Sequence, residues 1–363
     1  MRIEDLLRRN ARRTPDATAI VCEHEVLTWA ELESRANRLA NALRAGGYRE
    51  HERIAVVLPN CHHIPIAYFA IWKCNMVNVA INPRLTTSEM QRILEHCGAA
   101  AVVCDSDAAV AAASATSSVR GIYTTGEAQA GATTVASLIE ESDDTPASPM
   151  GVGTDLRSIR YTSGTTGHPK GCMATHEQQL ASVSNFLIEV EVPRSAPTYL
   201  SVPMTLGVGA FYLTASAYLG VPLFIRRRFD PRQFLLDVEE HQIAHAFLVP
   251  TMLVDLAAEL ATRATPLSTP LTMIGYGGAQ ISWDVIRTLG AALGCELYQG
   301  LGATEAGGYA TLLTPHDHAE LLAGDPSGST PIGRAAAYAR TRIVDPEGQD
   351  VEPGDRGNCR TLR

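Results

Sequence analysis

Short apolar runs alternate along this chain with longer stretches in which apolar residues return every three or four positions. The runs predict buried strands and the longer stretches amphipathic helices. Glu4 to Ala11 fits a short helix, and Thr18 to Cys22 with Val26 to Thr28 fits a tight hairpin. Thr28 is placed to cap a helix from Trp29 to Gly46, with Glu31 completing a capping box. Strands follow at Ile54–Leu58, Val77–Ile81 and Ala100–Cys104, separated by helices at His63–Asn75 and Thr87–His96. This β-α-β-α rhythm predicts a parallel sheet with helices on both faces. Residues 105–150 are rich in Ala, Ser, Thr and Asp and read as peripheral structure ending in a linker.

The second stretch repeats the rhythm. Strands are expected at Ser158–Tyr161, Thr198–Val202, Val221–Ile225, Ala246–Val249, Leu271–Tyr276 and Cys295–Tyr298, and a helix begins near Thr175. From residue 331 onward, strand-like pieces alternate with turns at Pro346, Gly348, Pro353 and Gly354, which predicts a small antiparallel subdomain. The fold class is therefore α/β, in three parts: 1–150, 151–330 and 331–363.

Composition narrows the function classes. The 363 residues exceed one ordinary domain, and the 45% hydrophobic content can fill a sizeable core. A net charge of −9 does not favour a nucleic-acid partner. The N-terminal MRIEDLLRRNARRTPD has no apolar core of signal-peptide type, and no run reaches the length of a membrane span. A soluble, cytoplasmic protein is expected. The eight cysteines form no C-x-x-C pair and no disulfide framework. Cys172 and His176 have i, i+4 spacing, but no further ligands stand nearby, so a metal site is not expected there. His241 and His245 fall on different elements, a helix and the strand after it.

The strongest chemical signal is YTSGTTGHPKG, Tyr161 to Gly171. Its glycines let the backbone approach an anion closely. Successive N–H groups in such a loop form an anion nest, hydroxyls add donors, and Lys170 adds a positive charge. That is the chemistry of a triphosphate cradle. It is not a Walker A loop, because Pro169 precedes Lys170 and Gly171 follows it. A merely flexible loop would not explain its place between a strand and a helix.

Three junctions together carry a family resemblance. YTSGTTGHPKG, GGAQIS (Gly277 to Ser282) and QGLGATE (Gln299 to Glu305) resemble the ordered motifs of the adenylate-forming superfamily. That superfamily includes acyl-CoA synthetases, aryl-acid ligases, luciferases and the adenylation domains of peptide synthetases. VNVAINPRLTTSEM near Asn82, FLVPTML near Pro250 and the closing GR...IVDPEGQDVEPGDRGN also fit, so the resemblance covers essentially the whole chain. Asn82-Pro83-Arg84-Leu85-Thr86 is most similar to the acyl-CoA synthetase branch. The resemblance implies the large N-terminal AMP-binding domain of that superfamily: stacked α-β-α subdomains with mostly parallel sheets, plus a small antiparallel β subdomain.

It also implies a reaction. A carboxylate attacks the α-phosphate of ATP, pyrophosphate leaves, and an acyl-AMP remains for a thiol to capture. Catalysis of such transfers rests mostly on positioning and electrostatic stabilisation. By resemblance, Thr162, Ser163, Gly164, Thr165, Thr166, Gly167 and Lys170 hold the β- and γ-phosphates. Thr304 bonds the α-phosphate, and Glu305 binds Mg²⁺, a hard cation that prefers oxygen ligands. Gly278, Ala279 and Gln280 line the adenine slot, and Leu301 and Gly302 also belong to the nucleotide site. Thr205, Leu206, Phe211, Tyr276, Gly277, Gly300 and Leu301 build the acid pocket. Thr304, Glu305 and Lys170 are the implied catalytic residues. ATP and Mg²⁺ are the implied cofactors, a small carboxylic acid the substrate, and coenzyme A the acceptor.

Three departures from the family pattern bear on specificity. Leu301 stands where an aromatic residue usually stacks on adenine. Leu206 stands where a histidine or bulky aromatic usually borders the acid pocket and thiol tunnel, which predicts an uncharged substrate tail. Residues 1–363 also contain neither the Thr-Gly-Asp motif nor the lid lysine of related enzymes, whether as part of a longer protein or as a natural half-enzyme. On their own they are expected to adenylate slowly, because lost transition-state contacts lower rate more than ground-state binding. The altered pocket leaves open a carrier-protein thiol as acceptor. It also leaves open an ATP-dependent diazotase reaction, activating nitrite for an aryl amine, and an inactive nucleotide-binding module.

Overall fold

A computed structural model describes residues 1–127, 129, 131–146, 151–162, 170–192, 197–262, 269–352 and 357–362. The chain divides into two compact units, Met1–Leu180 with Leu200–Arg228, and Ala181–Tyr199 with Phe229–Arg363.

The first unit is built on a seven-stranded sheet. Its order is Thr133–Thr134, Gly121–Thr124, Ala99–Cys104, Arg53–Val57, Val77–Ala80, Leu156–Thr162 and Lys170–Thr175. All neighbours are parallel except the last pair, which forms an antiparallel hairpin. One face is an apolar core in which Val57, Val79, Ile93, Leu94 and Val102 meet, with Ile159 and Tyr161 packed against it. Strand side chains alternate between faces, so Arg160 belongs to the opposite face. The same unit pairs Thr18–Cys22 with Glu25–Thr28 as a hairpin and with Leu223–Ile225 in parallel.

In the second unit His245–Leu248, Met273–Gly277 and Glu296–Ala303 run parallel. Gly308–Leu313 then returns antiparallel beside Glu296–Ala303, and Arg334–Ala335 pairs antiparallel with it. Arg340–Val344 and Asn358–Leu362 form a separate antiparallel ribbon. The α/β class with mostly parallel sheets and added antiparallel strands agrees with the expectation.

Helix starts follow the caps. Thr28 Oγ1 accepts from the Glu31 N–H at 3.2 Å, while Glu31 Oε2 accepts from the Thr28 N–H at 2.8 Å, opening the helix Trp29–Ala45. Thr86 and Glu89 repeat the device for Thr87–Cys97, which closes on left-handed Gly98. Replacing Thr28 by Ala should lower stability by about 1 kcal/mol. A urea midpoint equal to wild type would show that the cap is dispensable.

Two stretches differ from expectation. The helix expected to reach Asn75 ends at Lys73, because Asn75 adopts a left-handed φ of 54°. Residues 105–150 are not only peripheral: Gly121–Thr124 extends the seven-stranded sheet, after a helix Asp107–Ser114 started by a Ser106 cap. Among the described residues, no helix is long and apolar enough to cross a membrane.

Candidate nucleotide and acid site

In the first unit, the hairpin strands Leu156–Thr162 and Lys170–Thr175 end with Thr162 directly opposite Lys170. Ser163, Gly164, Thr165, Thr166 and Gly167 lie between them, outside the described residues. Thr162 is half-buried and Lys170 is exposed. The hairpin is anchored from both sides. Tyr161 shares a 2.6 Å hydrogen bond with His96 Nδ1, and burial pushes its phenol well above the usual range. Arg157 donates to the Thr175 carbonyl at 3.2 Å and to Gln179 Oε1, and its guanidinium lies over the Trp72 ring. These contacts fix the hairpin in which Thr162 and Lys170 stand opposite each other.

The segment carrying Thr205 and Leu206 is held by a residue that sequence reasoning missed. Asn60, buried, donates to the Val202 carbonyl at 2.9 Å and the Arg226 carbonyl at 3.0 Å, and accepts from the Met204 N–H at 2.7 Å. Tyr68 donates to the Met204 carbonyl at 3.4 Å. An asparagine at the end of a strand carries no signal in an isolated sequence, because its partners are backbone groups far along the chain. Leu206 is the N-cap of the helix Gly207–Leu219, offers no side-chain cap, and is 49% exposed. Thr205 and Phe211 are buried, with Phe211 edge-on to Tyr212.

The second unit presents the other motifs on paired strands. Gly277 and Gly300 are register partners, and a Cβ on Gly277 would strike the Gly300 carbonyl oxygen. A Cβ on Gly300 would strike the Tyr309 ring. The motif glycines thus allow close backbone approach rather than forming a loose loop. Beyond Gly277 the chain turns at Gly278, whose φ of 91° suits only glycine, and exposes Ala279 and Gln280.

Glu296–Ala303 carries Gln299, Gly300, Leu301 and Gly302 within the strand, where a strand ending at Tyr298 was expected. Glycine has poor strand propensity, so sequence reasoning stopped too early. Thr304 and Glu305 then lie in a 3-10 turn, Thr304–Ala306, joining this strand to Gly308–Leu313. Thr304 is half-buried and Glu305 exposed at the tip of that connection. A carboxylate with a hydroxyl neighbour on a short, paired turn is an oxygen donor set suited to a hard divalent cation.

Tyr276 is fully buried, and its hydroxyl shares a 2.8 Å hydrogen bond with His318 Nε2. Desolvation keeps the phenol protonated and lowers the His318 pKa. The structure therefore gives Tyr276 a place in the core beneath Gly277. Cys172 and His176, where no metal site was expected, lie on a strand and on the helix after it. His176 is instead buried beside Arg2 and the Ile3 N–H.

Comparison with known proteins places this geometry. The AMP-binding enzyme family matches residues 7–359. The chain is 32% identical over 354 residues to a feruloyl-CoA synthase of Amycolatopsis sp., covering 96% of this chain and 67% of that protein. It is 29% identical over 358 residues to a fatty acid–[acyl-carrier-protein] ligase of Streptomyces coeruleorubidus, covering 96% of this chain and 66% of that protein. The chain thus spans about two thirds of the length of these relatives. The solved N-terminal domain of FACL13 from Mycobacterium tuberculosis superposes with a TM-score of 0.84 at 26% identity, covering 97% of this chain and 86% of that one. The chain belongs to the AMP-binding enzyme family and is an adenylate-forming ligase by that membership.

Proposed function

We propose that this protein activates a carboxylic acid with ATP through an acyl-adenylate and transfers the acyl group to the thiol of coenzyme A. The observation that carries the proposal is the Thr304–Glu305 turn at the end of a glycine-bearing strand, within a family match of nearly the whole chain. Residues 162–167 and Lys170 take the β- and γ-phosphates. Thr304 would bond the α-phosphate, and Glu305 would hold Mg²⁺, which would supply charge neutralisation for the phosphates. Gly278, Ala279, Gln280, Leu301 and Gly302 face the adenine, with Leu301 supplying apolar contact in place of an aromatic stack. By the family resemblance, Thr205, Leu206, Phe211, Tyr276, Gly277, Gly300 and Leu301 are the residues assigned to the acid.

Coenzyme A as acceptor is supported by the name of the feruloyl-CoA synthase. A carrier-protein thiol is the second reading, favoured by the acyl-carrier-protein ligase among the relatives. An acid-dependent pyrophosphate-exchange screen of the complete protein tests the proposal. Exchange with an aliphatic or aromatic acid is the expected result, and exchange with nitrite alone or with no anion would overturn it. Leu206, half-exposed at the helix start, should tune the acid: Leu206→Trp is expected to change the ranking of acids by about tenfold while leaving the KM for ATP unaltered, since the removed or added contact is apolar. Equal losses with every acid and a raised KM for ATP would make Leu206 structural.

A further inference from the structure

Within the first unit, two buried guanidiniums, Arg157 and Arg160, have no ion pair among the described residues; Arg157 is held by the Thr175 carbonyl and Gln179 Oε1, and Arg160 has no such described acceptor. Arg160, on the strand that leads to the phosphate loop, is 7% exposed, and its Nη2 has no hydrogen-bond partner among the described residues. No described ion pair includes it. The titratable groups near it are Tyr68, a neutral phenol that donates to the Met204 carbonyl, Cys172, opposite it in the hairpin register, and Arg157, a second positive charge. Arginine does not shed its proton to escape burial, so an unpaired guanidinium here is a standing cost that a bound anion would relieve.

A second orphan stands on the adjoining segment. Thr205 is 5% exposed, and its Oγ1 also lacks a partner among the described residues. Two residues later the helix Gly207–Leu219 begins, with no side-chain cap from Leu206. Among the described residues, a Cβ on Gly207 would meet one atom within 4 Å, Arg160 Nη1 at 3.9 Å. The absent side chain therefore leaves room between the helix start and the guanidinium. A helix N-terminus, a hydroxyl and a guanidinium are each suited to an oxyanion, and the planar guanidinium binds a carboxylate with two parallel hydrogen bonds.

We propose that Arg160, the Thr205 hydroxyl and the first turn of the helix Gly207–Leu219 form a subsite for a second carboxylate on the acid substrate, so that dicarboxylic acids are the preferred class. This deepens the acid-activation reading above and rests on it. It replaces the uncharged tail expected from Leu206 alone: Leu206 points half into solvent, whereas the charge lies buried behind it. A phosphate of ATP is the less favoured occupant, because the phosphates have their own glycine-rich loop with Lys170.

The test uses matched acids, glutarate against pentanoate and phthalate against benzoate, with the complete protein. Binding is measured calorimetrically without ATP, and kcat/KM by pyrophosphate exchange. Wild type should bind one dicarboxylate at least about tenfold more tightly than its monocarboxylate partner, the effect of a charge-assisted hydrogen bond. Arg160→Met should abolish that preference with the KM for ATP unchanged, and Arg160→Lys should restore part of it. Removing an unpaired buried charge should leave the Tm of Arg160→Met at or above wild type, so a fall in Tm would show a structural partner and overturn the proposal. Equal binding of both members in both pairs would overturn it too, as would an Arg160→Met defect confined to ATP. If no acid supports exchange, acid activation itself fails, while the calorimetric comparison still decides whether Arg160 receives a carboxylate.

Discussion

Replacing Glu305 by Gln should reduce acid-dependent pyrophosphate exchange by on the order of 10²-fold or more, the cost of losing one group that stabilises charge in the transition state. The substitution keeps the shape of the side chain and removes its charge. Glu305 is exposed on the turn Thr304–Ala306, outside the core, and an unaltered Tm of the variant is the control that separates chemistry from folding. The loss should lie in kcat, and raising the Mg²⁺ concentration should recover part of it if the carboxylate acts through the metal. Exchange at the wild-type rate in Glu305→Gln would remove this residue from the site.

The largest expected effect on stability lies elsewhere. Lys73 is fully buried at the end of the helix His63–Lys73, and its ammonium donates to both carboxylate oxygens of Glu33 at 2.7 and 2.8 Å. Burial lowers the Lys73 pKa, and Glu33 opposes that shift. Removing one member of a buried pair strands the other charge and typically costs about 3–5 kcal/mol. Glu33→Ala should therefore unfold at a much lower urea concentration than wild type, while the double variant Glu33→Ala with Lys73→Met should recover most of the loss. A change below about 1 kcal/mol in the single variant, the range of solvent-exposed pairs, would mean that water reaches the ammonium.

Much of the fold was legible because local signals and long-range packing agree. Thr28 and Glu31 announce a helix start through a cap that the structure contains. The apolar runs at Ala100–Cys104 and Ala246–Val249 find parallel partners at nearly the expected positions. The strand through Gln299–Ala303 was harder to see, because Gly300 and Gly302 lower strand propensity. Those glycines are there because a Cβ on Gly300 would hit Tyr309 and one on Gly302 would lie 2.9 Å from the Gly308 carbonyl oxygen. Such reasons exist only once the return strand is in place.

The candidate site divides in the same way. Its motifs could be read from residue type and order, since phosphate and metal chemistry demand glycine, hydroxyl and carboxylate groups in a run. The residues that shape it could not. Asn60 acts through the backbone of residues 202, 204 and 226, and Arg160 becomes informative only when its Nη2 is seen to lack a partner among the described residues. Lys73, in an apolar helix, gave no hint of Glu33, which lies 40 residues earlier.

Isotope transfer gives the most direct test of acid activation through an adenylate. The complete protein is supplied with ATP, Mg²⁺, coenzyme A and an acid accepted in the exchange screen, its carboxylate labelled with oxygen-18, and the released nucleotide is analysed by mass spectrometry. Attack of the carboxylate on the α-phosphate expels pyrophosphate and bridges carbon to phosphorus through one labelled oxygen. Capture of the acyl group by the thiol then breaks the carbon–oxygen bond, so the expected product is AMP carrying a single oxygen-18. Unlabelled AMP, or ADP with labelled phosphate, would contradict it.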